Sequence, residues 1–311
     1  MDIIDLHTHS TASDGSLTPR GLVQAGLKAG LKALALTDHD TVEGVAEALA
    51  AGRELGLEVV PGVEISVQGD GHSGRPAGLH VLGYFVDHQH PGLLEGLRTL
   101  QAARAERNPR IVRKFNELGI PLTMEEVAKH AGGDLVGRPH FAQALIERGI
   151  VRDRGEAFAR FLAAGAKAYV PKFRFPPAEG LGMLRAAGGV PVLAHPGLLK
   201  LSLPELESLV RRLMDHGLEG LEALYSEHDT AIRRALTSLA ARLGLAVSGG
   251  SDFHGDQKPD IALGLGRGDL RVPPSLLAGL RQRQAKVLRA TGKSSGPAEA
   301  WTGGVGRAKV T

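Results

Sequence analysis

Short apolar runs alternate with amphipathic segments over the first ninety residues. The apolar runs have the length of buried strands, and the segments between them repeat apolar residues at helical spacing. This alternation predicts parallel strands joined by helical crossovers. The predicted strands lie at 2–6, 32–37, 57–65 and 79–86, and the predicted helices lie at 18–29 and 41–55.

A long helical stretch at 91–165 interrupts the alternation. Its pattern contains no convincing strand, and a helical run of this length within an α/β chain predicts an inserted subdomain. Insertions at the strand-end face of such proteins usually cover the active site. The helices predicted in this stretch lie at 93–118, 124–130, 139–148 and 156–163.

The alternation resumes after the helical stretch and brings the total to about seven strands. We therefore predict a barrel built from residues 1–90 and 166–285, with residues 91–165 as the inserted subdomain and 286–311 as a disordered tail of low apolar content. The later strands are predicted at 190–194, 219–224 and 245–249, and the later helices at 176–187, 203–215, 228–243 and 273–283.

Histidines and carboxylates collect where the apolar runs end. His7 and His9 are two residues apart on one strand, so their side chains share a face and can bind one ion. A single histidine at a strand end is more often structural, but six histidines with three carboxylates reverse that expectation. The pattern predicts a polynuclear metal site made of His7, His9, Asp14, His39, Glu64, His80, His195, Asp252 and His254.

Composition narrows the chemistry and the partners. The 311 residues include no cysteine, which excludes disulfides, thiolate zinc sites and cysteine nucleophiles. Basic and acidic residues nearly balance at 37 and 34, and the 4% of aromatic residues form no basic and aromatic clusters. The charge balance supports no conclusion about nucleic acids, but the lack of such clusters disfavours extended nucleic-acid surfaces and stable duplex DNA binding, while it allows a small nucleotide or the end of a short RNA. No apolar run approaches the about 18 residues that span a bilayer, so we expect a cytoplasmic protein without a membrane partner.

Six segments of the chain resemble the motifs of the polymerase and histidinol phosphatase (PHP) domain family. They are DLHTHSTASDGSLTP, ALTDHDT, PGVEIS, LHVLGY, LAHP and SGGSDFHG, and they follow the family's order within residues 2–255. The resemblance implies an α/β fold, a distorted (β/α)₇ barrel with three metal ions at the C-terminal ends of its strands. With GRPHFA at 137–142 and GAKAYVP at 165–171, the chain is similar to stand-alone bacterial members with a helical insertion. These members remove the 3′-phosphate of nucleoside 3′,5′-bisphosphates, and some are 5′-to-3′ exoribonucleases on short RNA.

The same resemblance implies how nine residues share three ions. Imidazole and carboxylate donors suit manganese, iron or zinc better than magnesium, and manganese is our first choice. Six of the ligands are expected to act in catalysis through the metals, namely His7, His9, Asp14, Glu64, Asp252 and His254. The implied sets are His7, His9, Glu64 and Asp252 for one ion, Glu64, His80 and His195 for a second, with Glu64 bridging, and Asp14, His39 and His254 for the third.

The expected reaction is hydrolysis of a phosphate ester by a hydroxide that the metals activate. Arg138 and His140 are candidate substrate-binding residues, because they lie at a predicted helix start, where anions are favoured and arginine can hold a phosphate with two donors. A plain surface arginine is an equal alternative. Tyr225 follows a strand end and is a candidate pocket residue. For Lys167 and Lys172 we expect solvated side chains rather than substrate contacts.

Two acidic residues flank His39. Asp38 and Asp40 are expected to orient metal ligands from behind, although a helix-capping or solvated role is at least as plausible for Asp40. Other functions also remain open at this point. One is a histidinol-phosphate phosphatase, and another is a non-catalytic metal-binding accessory domain.

Overall fold

The computed structural model describes residues 2–69, 78–131, 133 and 135–292. Within these ranges the sheet has seven strands, the number that the sequence predicted, and they lie in chain order. The sheet is nearly closed, since Thr8 at the end of the first strand bridges to Phe253 beyond the last. The strands are β1 (Ile3–Thr8), β2 (Leu31–Leu36), β3 (Glu58–Gln68), β4 (Gly78–Tyr84), β5 (Val190–Leu193), β6 (Gly220–Tyr225) and β7 (Ala246–Gly250).

The direction of β4 differs from the prediction. β1, β2 and β3 are mutually parallel and so are β5, β6 and β7, but β4 runs antiparallel to both of its neighbours. The expectation of an all-parallel sheet is therefore wrong for this strand. The physical reason is the short segment between Gln68 and Gly78, because a parallel connection needs a crossover of about a dozen residues or more.

Helices surround this sheet and fill the long segment between β4 and β5. Among the described residues, no helix is both long enough and apolar enough to span a bilayer. The last helix continues seven residues past its predicted end, so positions 286–290 of the predicted disordered tail are helical instead. The part of the predicted tail beyond residue 292 lies outside the described residues. The helices are α1 (Pro19–Lys28), α2 (Val45–Leu55), α3 (Pro91–Glu117), α4 (Met124–Ala128), α5 (Arg138–Glu147), α6 (Arg154–Ala157), α7 (Pro177–Ala186), α8 (Leu203–Asp215), α9 (Thr230–Leu243) and α10 (Ser275–Ala290).

Alternate residues of the strands enter different apolar clusters. On β2, Leu34 and Leu36 pack with the surrounding helices, whereas Ala33 and Ala35 belong to a second cluster with Ile4 of β1. This is the two-residue period expected of a strand that is buried on both faces. The first and last strands also pack tightly, because a Cβ on Gly250 would lie 2.3 Å from the backbone nitrogen of His7. Glycine at that position therefore allows the sheet to close.

The helices between β4 and β5 share an apolar cluster of their own. Phe115 of α3 stacks near Phe141 of α5 at a ring distance of 6.4 Å and near Phe161 at 5.4 Å. The first half of α3 packs differently, since Leu93 and Leu97 belong to the cluster around the sheet. Helix α3 thus connects the two packed bodies and crosses the strand-end loops.

Candidate metal centre and its surroundings

The nine predicted ligand residues come together at one end of the sheet. His7 lies in β1 and Glu64 in β3, while most of the others lie in the loops that follow strands. His80 is different, because it is near the beginning of β4, where it pairs with Ser66 of β3. The antiparallel direction of β4 brings this strand's start to the end where its neighbours' ligands lie.

Glu64 is the centre of this group. Its carboxylate is 1% exposed, and ring nitrogens of five histidines surround it. His7 and His9 are fully buried, whereas the rings of His39, His80 and His195 are partly exposed and mark the open side. From Oε1 the distances are 2.8 Å to His80 Nδ1 and 3.1 Å to His195 Nε2, and from Oε2 they are 3.1 Å to His39 Nδ1, 3.2 Å to His7 Nε2 and 3.4 Å to His9 Nε2.

Two further carboxylates complete the group. Asp252 Oδ1 lies 3.2 Å from His9 Nε2, 3.5 Å from His7 Nε2 and 3.4 Å from His254 Nδ1. Asp14 Oδ1 lies 3.2 Å from His254 Nε2. Burial raises the pKa of Asp252, but Lys258 and the histidines outweigh it and hold that pKa well below its usual value. Asp252 is therefore ionised and can donate electron pairs to a metal ion.

The donor set fits divalent metal ions. Both ring nitrogens of His9 and Nδ1 of His80 are buried without a hydrogen-bond partner among the described residues. One carboxylate cannot hydrogen-bond well to five imidazoles, whereas shared cations would satisfy rings and carboxylates together. The donor atoms form three sets, and within each set all of them lie within 4.8 Å of one another. The sets are His9, Asp14, His39 and His254, then His7, His9 and Asp252, and then His39, Glu64 and His80.

These three sets overlap the implied ones without matching them. The implied set of Asp14, His39 and His254 recurs with His9 added, and His7 and His9 stay with Asp252. His195 belongs to none of these three sets, but its Nε2 lies 3.1 Å from Oε1 of Glu64.

Strained backbone positions the strand-end ligands. His195 has φ 32° and Asp252 has φ 59°, both in the left-handed region that L-residues avoid. Such conformations cost on the order of 1–3 kcal/mol each and persist where the surrounding structure fixes them. In the loop after β1, a Cβ on Gly15 would lie 2.3 Å from the carbonyl oxygen of His9, so this turn requires glycine beside Asp14.

Glu222 of β6 supports the centre from behind, and the sequence analysis missed it. Its Oε1 lies 2.9 Å from Nδ1 of His7, and its Oε2 accepts a hydrogen bond of 2.7 Å from the backbone nitrogen of His195. A carboxylate on the far nitrogen of a ligand histidine fixes the ring and makes it a stronger donor. The available signal was one acidic residue inside the buried run Gly220–Tyr225.

Asp38 and Asp5 hold the ligand loops rather than the rings. Asp38 accepts hydrogen bonds from the Ser10 nitrogen at 2.8 Å and from the hydroxyls of Ser10 and Ser13 at 2.6 Å. Asp5 accepts from the nitrogen and hydroxyl of Ser251, at 2.8 and 2.5 Å. The orienting role expected of Asp38 is thus exerted through the loop that follows β1.

Tyr225 is buried next to the metal centre, beside Asp252. It is 2% exposed, and its hydroxyl donates a hydrogen bond of 2.8 Å to Oδ2 of Asp252. Lys258 Nζ contacts the same oxygen at 2.6 Å. This position favours a supporting role for Tyr225 over the substrate contact expected from the sequence.

Asp40 anchors a group of basic side chains beside the centre. It is buried and contacts the guanidinium of Arg104 and, at 2.6 Å, Nζ of Lys172, which also donates to the Ser66 hydroxyl at 2.5 Å. Neither Asp40 nor Lys172 is solvated. The solvated role considered for Asp40 and the solvated side chain expected for Lys172 are therefore both wrong. The cause is α3, whose Arg104 covers the loop after β2. Burial and the nearby Arg104 lower the pKa of Lys172 to about 7, although Asp40 opposes them.

Further arginines extend this group. Burial and the neighbouring guanidinium groups of Arg104, Arg138 and Arg174 lower the pKa of Arg107 to about 9. Within the described part of the chain, the Nε atoms of Arg104, Arg107 and Arg174 are buried without a hydrogen-bond partner. The group therefore has unused donors and excess positive charge. We call Arg104, Arg107, Arg138, Lys172 and Arg174 the basic cluster.

The two predicted substrate-binding residues of α5 lie at its start. Arg138 is partly buried in the basic cluster and donates a hydrogen bond of 3.1 Å to the carbonyl oxygen of Leu162. His140 is buried, and its Nδ1 accepts from the backbone nitrogen of Gly137 at 3.0 Å. Burial, which outweighs the attraction of Asp14, lowers the pKa of His140 to about 4. Arg138 is thus not a plain surface arginine, and His140 is neutral at pH 7.

Several known proteins are similar to this chain in sequence or in fold. The PHP domain profile matches residues 5–132. The 5′-3′ exoribonuclease Rnm of Escherichia coli is 35% identical over 81% of the chain and 85% of its own length. The 3′,5′-nucleoside bisphosphate phosphatase of Chromobacterium violaceum is 32% identical over 93% of the chain and 99% of its own length. A predicted metal-dependent phosphoesterase of Bifidobacterium adolescentis superposes with a TM-score of 0.80 at 31% identity, covering 91% of this chain and 96% of that one.

Proposed function

The chain belongs to the PHP domain family, and on that premise we propose that it is a metal-dependent phosphoesterase that removes the 3′-phosphate of nucleoside 3′,5′-bisphosphates. One observation carries the choice of substrate. A metal centre and a basic cluster with unused donors lie side by side at the same end of the barrel. A substrate with two phosphates can satisfy both.

The proposed ligands are the nine residues of the metal centre, holding three ions, with manganese first and iron or zinc as alternatives. Glu64 supports a bridging role, because its two oxygens face different histidines, His80 and His195 on one side and His7, His9 and His39 on the other. When bound, such ions neutralise phosphate charge and ionise a water molecule near neutral pH. Glu222 and Asp38 keep the ligands in place during turnover.

The basic cluster is proposed to hold the 5′-phosphate. It adjoins the metal centre directly, since Asp40 follows His39 in the chain and Ser66, which Lys172 contacts, pairs with His80. An arginine side chain can donate two hydrogen bonds to the oxygens of one phosphate. Because these side chains are already held in place by burial, they lose little conformational entropy when a phosphate binds. This arrangement orients the substrate so that its other phosphate reaches the metal ligands.

A cavity next to Arg104 of the basic cluster has room for the nucleoside. It measures about 300 Å³ and lies between α3 and the loops after β1 and β2. Arg104, Gln101 and Asn108 line one wall, and the small Ala105 leaves the space open. We place the sugar and base there.

The substrate choice is tested with the purified protein loaded with Mn²⁺. Adenosine 3′,5′-bisphosphate should yield adenosine 5′-phosphate and one inorganic phosphate, and His7→Ala should abolish the reaction. Histidinol phosphate has one phosphate and would leave the basic cluster unused, so it should react much more slowly. Release of no phosphate from the bisphosphate would reject the proposal.

A 5′-to-3′ exoribonuclease is the second candidate, because the E. coli relative carries that name. The same clusters could hold a 5′-phosphate and place the following phosphodiester at the metals. Short 5′-phosphorylated RNA should then shorten by one nucleotide at a time, and RNA with a 5′-hydroxyl should resist. Products of random length would contradict this mode.

A further inference from the structure

Lys258 is a charged residue of the metal centre that lies outside the family motifs. It comes three residues after the last motif, at the end of the short turn Gly255–Gln257. Its backbone nitrogen donates to the Gly255 carbonyl at 2.9 Å. The turn is also fastened to the inserted helices, since Arg154 of α6 donates to the carbonyl oxygen of Gln257. The position of Lys258 is therefore fixed by both packed bodies.

The two oxygens of Asp252 have different surroundings. Oδ1 faces the histidines, at 3.2 Å from His9 and 3.5 Å from His7. Oδ2 faces away from them and is held by the Tyr225 hydroxyl at 2.8 Å and Lys258 Nζ at 2.6 Å. With Oδ2 engaged twice, Asp252 presents one oxygen to an ion.

We propose that Lys258 is a positioning residue that restrains Asp252 to one coordinating oxygen and, through its charge, weakens the electron donation of that oxygen. The inference rests on the metal-dependent function proposed above. Its physical basis is that a cation 2.6 Å from a carboxylate draws negative charge towards itself. An ion bound by a poorer donor is held less tightly and is a stronger Lewis acid.

Lys258 and Glu222 should thus have opposite effects. Glu222 contacts His7 at 2.9 Å and strengthens a donor, whereas Lys258 contacts Asp252 and weakens one. If both residues acted only as anchors, replacing either one would change the metal affinity in the same direction. The sign of the change in metal affinity therefore separates electrostatic tuning from simple anchoring.

The test compares Lys258→Met and Lys258→Arg with wild type, with Lys286→Met as the matched control. Lys286 is an exposed residue of α10, and its Nζ also faces a carboxylate, that of Glu219, at 3.5 Å. Metal retained after dialysis against a chelator is measured by elemental analysis, folding by circular dichroism, and kcat and KM on adenosine 3′,5′-bisphosphate. Lys258→Met should retain Mn²⁺ about tenfold more tightly and lose about tenfold in kcat with KM little changed. Lys258→Arg should restore both values, and the control should match wild type.

Three results would overturn the inference. Weaker metal retention in Lys258→Met would show an anchor, a higher KM with unchanged retention would show a substrate contact, and no change would show no role. If Lys258→Met does not fold, retention and kcat in Lys258→Gln decide by the same criteria. Absence of phosphate release by wild type would reject the proposed function instead, and the metal-retention result would stand apart from it.

Discussion

The metal centre and the basic cluster are neighbours with opposite needs. The metal centre comes from the barrel strands, and among the described residues three of its buried imidazole nitrogens, two on His9 and one on His80, have no hydrogen-bond partner. The basic cluster comes from α3, α5 and the segment that re-enters the barrel, and in the described part of the chain the buried Nε atoms of Arg104, Arg107 and Arg174 have no hydrogen-bond partner. The difference supports the proposal that the two clusters together bind an anionic substrate, one through metal ions and the other through arginine and lysine side chains.

The two clusters also differ in what they do to stability. In the metal centre, ionised carboxylates and histidines attract one another, whereas in the basic cluster burial and like charges lower the pKa of Arg107 to about 9 and that of Lys172 to about 7. Charges held in this way destabilise the empty protein. A phosphate would relieve that cost, so the cluster favours its ligand.

The largest effect is expected at the shared ligand of the metal centre. Glu64→Gln removes the charge that five histidines face, so activity should fall by on the order of 1,000-fold or more. The measurement is phosphate release at saturating Mn²⁺. Glu58→Gln, at the other end of β3, is the control and should stay near wild type. Retained activity in Glu64→Gln would show that the metal centre is not needed for phosphate release.

The strain in the basic cluster should appear as a pH dependence of stability. The pKa of Lys172 is lowered from 10.5 to about 7 in the folded protein, so between these values the unfolded state binds more protons. The free energy of unfolding therefore rises with pH in this window. Since a tenfold change in proton affinity is about 1.4 kcal/mol, the rise from pH 7 to 10 should reach roughly 3 kcal/mol.

Urea unfolding of the metal-free protein at the two pH values measures this rise. Lys172→Met should lack it, and the exposed Lys167→Met should keep it. Identical pH dependence in the two variants would show that Lys172 carries no such strain.

Substrate binding by the basic cluster should depend on Arg107. Arg107→Met removes a buried guanidinium, and a charge-assisted phosphate contact is worth about 1.5–3 kcal/mol, so KM for the bisphosphate should rise about 10- to 100-fold. KM for adenosine 3′-monophosphate should change little. Arg113→Met, exposed on the same helix, is the control. Equal losses on both substrates would place Arg107 outside 5′-phosphate binding.

The smallest effect is expected behind the metal centre. Glu222→Gln weakens the hold on His7, so metal affinity should fall about tenfold, with activity restored by excess Mn²⁺. Titration of the metal-free protein by calorimetry measures the affinity. Glu227→Gln, exposed just beyond β6, serves for comparison. An unchanged affinity would mean that Glu222 serves folding alone.

The sequence predicted the metal centre better than the basic cluster for a physical reason. Ligands such as His7 and His9 lie where apolar runs end, so the local sequence pattern is enough to identify them. Lys172 and Arg104 look like ordinary surface residues, because their partner Asp40 is distant in the chain. Pairing across such separations depends on how α3 packs over the loops, which local patterns do not encode.

The same limit explains the other differences in the fold and the site. His80 was expected at the end of a parallel strand, but the short connection before β4 turns that strand around. Glu222 faces His7 across the sheet, and its role required the register of β6. The number of strands followed from periodicity, and the seven-stranded sheet confirms it.

The most direct test of the paired clusters is the ratio of kcat/KM for adenosine 3′,5′-bisphosphate to that for adenosine 3′-monophosphate, measured with the Mn²⁺-loaded protein. Both substrates present the same 3′-phosphate to the metal centre, and only the first offers a phosphate to the basic cluster. We expect a ratio of about 100 or more, because each contact to the second phosphate is worth about 1.5–3 kcal/mol. A ratio near one would contradict it, because the basic cluster would then contribute nothing to recognition.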